Sequence, residues 1–395
     1  MKSKKNNGII FSVTALAIAA GLYINSQGTQ RGAEIIVGKE PLSKLPAANI
    51  SAIVIADGKT TLTLKRAEEK WMVVYRNGYP ADTNRIDNFV TSMKEMKALR
   101  ELSAGKDQLG QIGLQDGTRV TLQDKSGNPI HTLTLGKELT APGSEQQQGA
   151  MGRGGFPDRR FVMLDGERTA ITVVDQTFSN ATTDAADWLD KSFFNVSSAN
   201  SIEVIYSGTE STNSWKITKP SELGDWKLEG ELPEGKELTP NPAAASALSS
   251  PSFNDLANDA ERAALDQNAT QIKIQTTEGF QYALTVADSS QDSDKVMRVQ
   301  VAANLPEKRT PGENESDEDK QRLDEEWGAT QQTLKDKLTE EQKFAQFVYR
   351  VSNSTVSDFL KKRSELLQDI EKGAIEPPTG GGATPFPFQI PPPQE

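Results

Sequence analysis

The chain has 395 residues, 35% hydrophobic and 25% charged, with a formal net charge of -11. That is enough for two or three domains with folded cores, and the wrong sign for broad attraction to nucleic acid or anionic lipid. There is no cysteine and one histidine, His131, which excludes Cys/His zinc sites, disulfide frameworks, thiol nucleophiles and any Ser-His-Asp triad not built on that imidazole.

The N-terminus fixes a compartment. Lys2, Lys4 and Lys5 precede the uncharged run GIIFSVTALAIAAGLYI at residues 8–24. As a helix this run reaches about 26 Å, close to the roughly 30 Å hydrocarbon core, so it can cross a membrane. The basic residues ahead of it place residues 1–7 in the cytoplasm. The chain beyond it then lies on the periplasmic or extracytoplasmic side of the inner membrane. A competing reading is a cleaved signal peptide, because Ala17 and Ala19 form a small-x-small pattern. Leu22, Tyr23 and Ile24 prolong the apolar run past that site and favour a retained single-pass anchor. With no cysteine after the run, a lipoprotein is excluded.

Residues 25–44 read as a linker. Alternating strands follow in ISAIVIADG and TTLTLKRAEEKWMVVY, the second opened toward its end by Trp71 and closed by an Asn77-Gly78 turn. Pro80 and a cap at Asp82 or Thr83 start a helix. Its apolar face is Ile86, Phe89, Val90, Met93, Met96 and Leu99. LQDGTRVTLQDKSGNPIHTLTLG predicts a strand pair turned at residues 126–129, and RRFVMLDGERTAITVV predicts another turned at Asp165-Gly166.

The order then recurs. SIEVIYSG echoes ISAIVIADG, and SWKITKP and DWKLEG echo KWMVVY. Ala244, Ala247, Leu248, Phe253 and Leu256 suggest a second helix, which Pro251 must interrupt. TQIKIQTTEGFQYALTVAD is a strand pair turned at Glu278-Gly279, and KVMRVQV adds a strand. Phe347-Val348 echoes Phe161-Val162, and Phe359-Leu360 echoes Trp188-Leu189. The expected fold is α+β. A transmembrane helix leads into two similar β-rich subdomains, 45–195 and 198–370, each with a helix packed on an antiparallel sheet. The second carries an acidic insert at 305–342, and a disordered Pro/Gly-rich tail occupies 373–395. Trp71 is then a packing element of a repeated unit.

The tryptophan strand, the Pro-Ala-Asp turn, the amphipathic helix, Gly113-Leu114, the stretch from Val120 to Gly136 and the FVMLDG strand resemble, in that order, the domain-of-unknown-function family numbered 4340. The likeness covers residues 50–190 well and the second half more loosely. It implies a membrane-anchored bacterial protein with an exported β-rich repeat, often encoded beside ABC-transporter components of the gliding-motility type. It supplies no catalytic residues. The Gly/Gln-rich insert at 141–158 and the acidic insert depart from the pattern.

Segments that could carry chemistry read more simply as structure. The glycines of the 141–158 insert lack the helix start and Lys-Ser/Thr of a phosphate loop, although Arg153, Arg159 and Arg160 could meet an acidic partner. His131 has no neighbouring nucleophile signature. The acidic run from Glu313 to Glu326 lacks EF-hand spacing and reads as a solvated, partly helical insertion. PFPFQIPPP reads as extended tail that could dock in a groove. No catalytic, cofactor or metal residues are assigned. The expected function is a non-enzymatic accessory or scaffold protein of an envelope complex, with membrane contact through residues 8–24 and ABC-transporter or other envelope subunits as partners. The rival classes are an exported glycan- or peptide-binding module displaying Trp215, Trp226 or Trp327, and a hydrolase using carboxylates or a Ser-Lys pair.

Overall fold

The structure, a computed structural model, describes residues 37–370 apart from 141–155, 165–170, 222, 266, 268, 291–292 and 313–314. The predicted membrane span at 8–24, the Asp165-Gly166 turn, most of the glycine-rich insert and the Pro-rich tail lie outside those residues. Among the described residues no helix is long and apolar enough to cross a membrane.

Alternation of apolar and polar residues builds the first sheet. β1 (Ala52–Ala56), β2 (Thr61–Ala67), β3 (Lys70–Val73) and β4 (Tyr79–Pro80) precede α1 (Thr83–Glu95). After it come β5 (Ala98–Leu102), the short α2 (Lys106–Gln111), β6 (Thr118–Gln123), β7 (Pro129–Leu139), β8 (Arg159–Leu164) and β9 (Ile171–Val174). These form one nine-stranded sheet in the order β4-β3-β2-β1-β6-β7-β8-β9-β5. Ile53, Ile55, Leu62 and Leu64 are buried on one face, spaced two apart as the pleat requires. Asp82 caps α1 by accepting from the Arg85 amide at 3.0 Å, and the helix buries Ile86, Phe89, Val90 and Met93. Fully burying a side chain of this size contributes about 1.5–3 kcal/mol. Phe89 meets the fully buried Trp188 edge-on at 5.4 Å.

Two expectations for this region need correction. Leu99 is not on the helix: Met96 leaves helical geometry at ψ 133, and Leu99 falls in β5 with its side chain exposed. Residues 37–44 are not free linker. The Gly38 amide donates to Ala98 O at 2.6 Å, the Ala98 amide donates to Lys39 O at 3.0 Å, and Leu42 is buried.

The later part of the chain supplies β10 (Ala199–Ile205), β11 (Trp215–Thr218), β12 (Lys227–Leu228), β13 (Lys236–Leu238), β14 (Asp255–Leu256), α3 (Asp259–Leu265), β15 (Thr270–Thr276), β16 (Phe280–Asp288) and β17 (Asp294–Ala303). They are followed by α4 (Asp317–Gln342), β18 (Tyr349–Ser352), α5 (Asn353–Val356) and β19 (Leu367–Asp369). Strands run β12-β11-β10-β15-β16-β17 in one sheet, and β13 pairs with β19 in another. The antiparallel pairings β1–β2, β1–β6, β6–β7, β7–β8 and β5–β9 recur as β10–β11, β10–β15, β15–β16, β16–β17 and β14–β18. The repeat is therefore a repeat of pairing order. KVMRVQV in β17 takes the place of RRFVML in β8 and is not an extra strand. By the same pairings β18 stands where β9 does.

The expected helix over Ala244, Ala247, Leu248, Phe253 and Leu256 does not form. Pro242 and Pro251 bracket a segment that contains only a 3-10 turn at Ala243–Ala245, and Leu256 lies in β14. Proline removes an amide donor and clashes with the preceding turn. The apolar positions Ala244, Leu248, Phe253 and Leu256 are buried all the same. The long helix of this part is α4, from the acidic insert. It is capped by Ser316, has three acidic residues in its first turn and lies along β17. Arg309 fastens its approach, with Nη1 and Nη2 on Glu315 at 2.5 and 2.7 Å and Nε on Asp324 at 2.7 Å.

The chain divides into two compact units. The first comprises Met1–Phe193, Ser252–Asn258 and Tyr349–Val351; the second comprises Phe194–Pro251, Asp259–Val348 and Ser352–Glu395. Neither is one contiguous span: two short segments from late in the chain complete the first unit.

Candidate functional site

Two centres of buried polar side chains stand out, one in each unit. In the first unit β3 leads through a 3-10 turn (Val74–Arg76) to Asn77 and Gly78, both at positive φ, which turns the chain back into β4. This turn aims Arg76 at Asp255. Its Nε donates to Oδ1 at 2.8 Å and its Nη2 to Oδ2 at 2.8 Å. The fork geometry raises the guanidinium pKa, chiefly through the Asp255 hydrogen bond. Arg350 Nη1 stands 3.9 Å from Oδ2. Lys191 Nζ donates to Asn254 O at 2.6 Å and Phe253 O at 3.4 Å, and lies 4.6 Å over the Phe253 ring. Burial pushes its pKa down, against the pull of Asp255.

Four rings wall this centre. Tyr79 meets Phe253 at 5.8 Å and Tyr349 at 6.2 Å, while Phe193 meets Phe253 at 5.1 Å and Tyr349 at 4.7 Å. Burial pushes the Tyr79 phenol up to about 12 and drives Tyr349 up further still. Chemically the arrangement holds neutral phenols, one carboxylate engaged by a guanidinium fork and an ammonium spent on backbone carbonyls. It fixes chain segments to one another.

In the second unit Glu341, near the end of α4, is 5% exposed. Its Oε2 accepts from the Tyr282 hydroxyl at 2.8 Å and its Oε1 from the Asn195 amide at 3.0 Å. Burial raises the carboxyl pKa, and the two hydrogen bonds and Lys337 pull the other way. One helical turn earlier, Lys337 Nζ lies 4.8 Å over the Phe280 ring and 4.0 Å from Glu278. Neither centre was marked in the sequence. The available signal was a carboxylate embedded among apolar residues, as Asp255 is in FNDLA.

The residues weighed from sequence fall elsewhere. His131 sits half-buried on β7 opposite Leu122. Arg160 turns inward, its Nε donating to Gly136 O at 2.8 Å and its Nη1 to Thr177 O at 2.7 Å, so it does not offer a charge to an acidic partner. Arg159 lies beside Asp158 at 3.7 Å, and Arg153 is outside the described residues. Trp215 is buried, its indole N–H donating to Lys361 O at 2.8 Å, so it is no stacking surface for a glycan. Trp226 and Trp327 are half-buried. Among the described residues no group of three or more His, Cys, Asp or Glu could hold a metal ion. A cleft of about 350 Å³ opens beside Trp71, lined by Ile50, Arg66, Ile86, Asp87 and Lys94 among others.

The motif residues are packing residues. Trp71 is 7% exposed. A Cβ on Gly136 would stand 2.6 Å from Ile112 O and 3.1 Å from the Leu114 side chain, and one on Gly113, at φ +73, would meet Lys137. Gly113, Leu114 and Gly136 thus form one close approach of the loop after α2 to β7.

Residues 71–146 match the model of the family described as Domain of unknown function (DUF4340). The DUF4340 span holds the Trp71 strand, the Pro-Ala-Asp turn, α1 and the stretch from Gly113 to Gly136, which carried the resemblance in the sequence; the FVMLDG strand, which also carried it, lies beyond the span. Asp255, Phe253 and Tyr349, which complete the Arg76 centre, lie outside it. No curated protein and no solved structure matches the chain.

Proposed function

We propose that this chain is a membrane-anchored, exported accessory or scaffold protein, without an enzymatic role, of a cell-envelope complex. Residues 8–24 are the single-pass anchor in the inner membrane, residues 1–7 are cytoplasmic, and the two units lie on the periplasmic side. The complex is one built around an ABC transporter, the setting that the DUF4340 resemblance implies by association. The observation that carries the non-enzymatic reading is the use made of the buried charges. Arg76 and Asp255 join positions 179 residues apart, and Glu341 ties α4 to Tyr282 and Asn195. Groups held this way are spent on rigidity. The anchor rests on the uncharged run behind Lys2, Lys4 and Lys5.

The test is a mild-detergent pull-down of the full-length protein from its native membranes, with intact mass of the recovered chain. Transporter subunits recovered with a chain that retains residues 1–24 are the expected result. A solitary chain beginning near Gly21 would overturn the reading.

A further inference from the structure

The cleft beside Trp71 lies wholly within the first unit. Its lining includes an apolar surface, since Ile50, Ile86 and Val90 are each at most 8% exposed. Around that surface stand polar groups without the partners such groups ordinarily find. Trp71 is 7% exposed, yet its indole N–H meets no acceptor among the described residues. The buried Trp188 and Trp215 do find one, donating to Thr182 O at 3.1 Å and to Lys361 O at 2.8 Å. A buried indole N–H ordinarily has an acceptor, and at Trp71 the cleft is where one can enter. Neither the Asp87 carboxylate nor the ammonium of half-buried Lys94 makes a hydrogen bond or ion pair with a described residue. The Arg66 guanidinium pairs with Glu69 at 2.9 Å, a side chain 89% exposed, and such surface pairs are weak. Asp87 and Lys94 stand seven residues apart on α1, close to two full turns, so they share a face with an axial separation of about 10 Å.

We propose that this cleft binds a short peptide with both ends free, about three residues long, the length that covers the same span when extended. The peptide ammonium meets Asp87, and its carboxylate meets Lys94 with Arg66 as the second cation. A backbone carbonyl accepts from the Trp71 indole, and an apolar side chain lies on Ile50, Ile86 and Val90. The lining selects this class over its rivals. A wholly apolar ligand leaves both charges and the indole donor unused. A simple anion uses the cations alone and is repelled by Asp87. A neutral carbohydrate offers a charge to neither. The volume of about 350 Å³ is at the small end of ligand pockets, which suits a ligand of this length. The site lies within one unit and needs neither the anchor nor a transporter. It goes beyond the scaffold reading and fails or stands separately from it.

The test is calorimetric titration of the full chain in mild detergent with a mixture of Ala-X-Ala tripeptides, X being each apolar residue in turn. The same mixture is then used with the N-terminus acetylated and, separately, with the C-terminus amidated. The free peptides should bind saturably, and each cap should weaken binding about tenfold. Lys94→Gln should weaken the free peptides about tenfold and leave the amidated ones unchanged, and Asp87→Asn should do the same for the acetylated ones. Both side chains project from the outer part of α1, so the variants should unfold at the wild-type temperature. Trp71→Phe keeps the ring, removes the N–H and should weaken binding about fivefold. The wild-type chain with capped and uncapped peptides is an arm that depends on no variant. Absence of saturable binding by the free peptides overturns the proposal. So does binding that neither cap weakens, which would mark a ligand recognised by its apolar part alone.

Discussion

Arg76 and Asp255 stand 179 positions apart in the chain and meet in a two-point ion pair, with both nitrogen–oxygen distances at 2.8 Å. The Asp255 side chain is 10% exposed and that of Arg76 30%, so the pair sits at the edge of the interior. Removing one partner leaves the other charge partly desolvated. Fully buried pairs cost about 3–5 kcal/mol when broken this way, and the exposure of Arg76 lowers the figure here to about 2–3 kcal/mol. Asp255→Asn should lower the first-unit unfolding free energy by that amount. Arg76→Lys, which keeps the charge and loses the fork, should cost about half as much. Urea unfolding of the full chain, with amide exchange followed over residues 71–82, measures both. Equal losses would show that the fork geometry contributes nothing.

Glu341 predicts a pH dependence with a definite sign. Burial holds its carboxyl above the ordinary value of 4.5, so the folded state binds the proton more tightly than the unfolded chain does. The resulting stabilisation is full below about 4.5 and is lost as pH rises through the folded value. Glu341→Gln should flatten the decline in second-unit stability above pH 4.5 while leaving the first unit's pH profile unchanged. Thermal unfolding at a series of pH values checks this; an unaltered slope in the variant would assign the decline to other groups.

Gly136 and Gly58 separate two roles of glycine. Gly136→Ala drives a methyl to 2.6 Å from Ile112 O and onto Leu114, and overpacking of this kind costs about 1–3 kcal/mol. Gly58 sits at φ +85 with open space around it, so Gly58→Ala should cost only the backbone strain, about 1 kcal/mol. Paired denaturation curves of the two variants give the comparison.

A fragment covering residues 37–195 lacks Ser252–Asn258 and Tyr349–Val351. It leaves Arg76 without Asp255, and Tyr79 and Phe193 without Phe253 and Tyr349. It should bind a hydrophobic dye and show a broadened unfolding transition by near-UV circular dichroism. Adding residues 196–395 as a second polypeptide should sharpen it. A cooperative transition from the fragment alone would make the late segments dispensable.

Much of the sheet was legible because its signals are local. The alternation in β1 and β2, the glycine turns at Gly127 and Gly279 and the spacing of Ile86, Phe89, Val90 and Met93 depend only on neighbours a few residues away. Leu99 was misplaced because a helical period carries no notice of where the backbone leaves the helix, and the residues around Leu248 because their apolar spacing was weighed above the prolines beside them. The polar centres left only a faint trace: FNDLA sets Asp255 among apolar residues, but nothing near it names its partner. Arg76 meets Asp255 across 179 positions of chain, a long-range choice that leaves no periodic trace near either residue. The α4 position of Glu341 reads as one more charge on a charged helix until its neighbours are placed.

The outer strand of the first sheet has a consequence for crowding. β4 contains Pro80, which has no amide hydrogen, and its free side is already occupied. The Asp190 amide donates to Pro80 O at 2.9 Å, the Asp82 amide donates to Trp188 O at 2.9 Å, and Ala81 bridges to Leu189. A sheet grows into a fibre by offering unpaired amides and carbonyls along a straight margin. This margin offers neither, so copies of the chain packed densely side by side would find nothing there to extend.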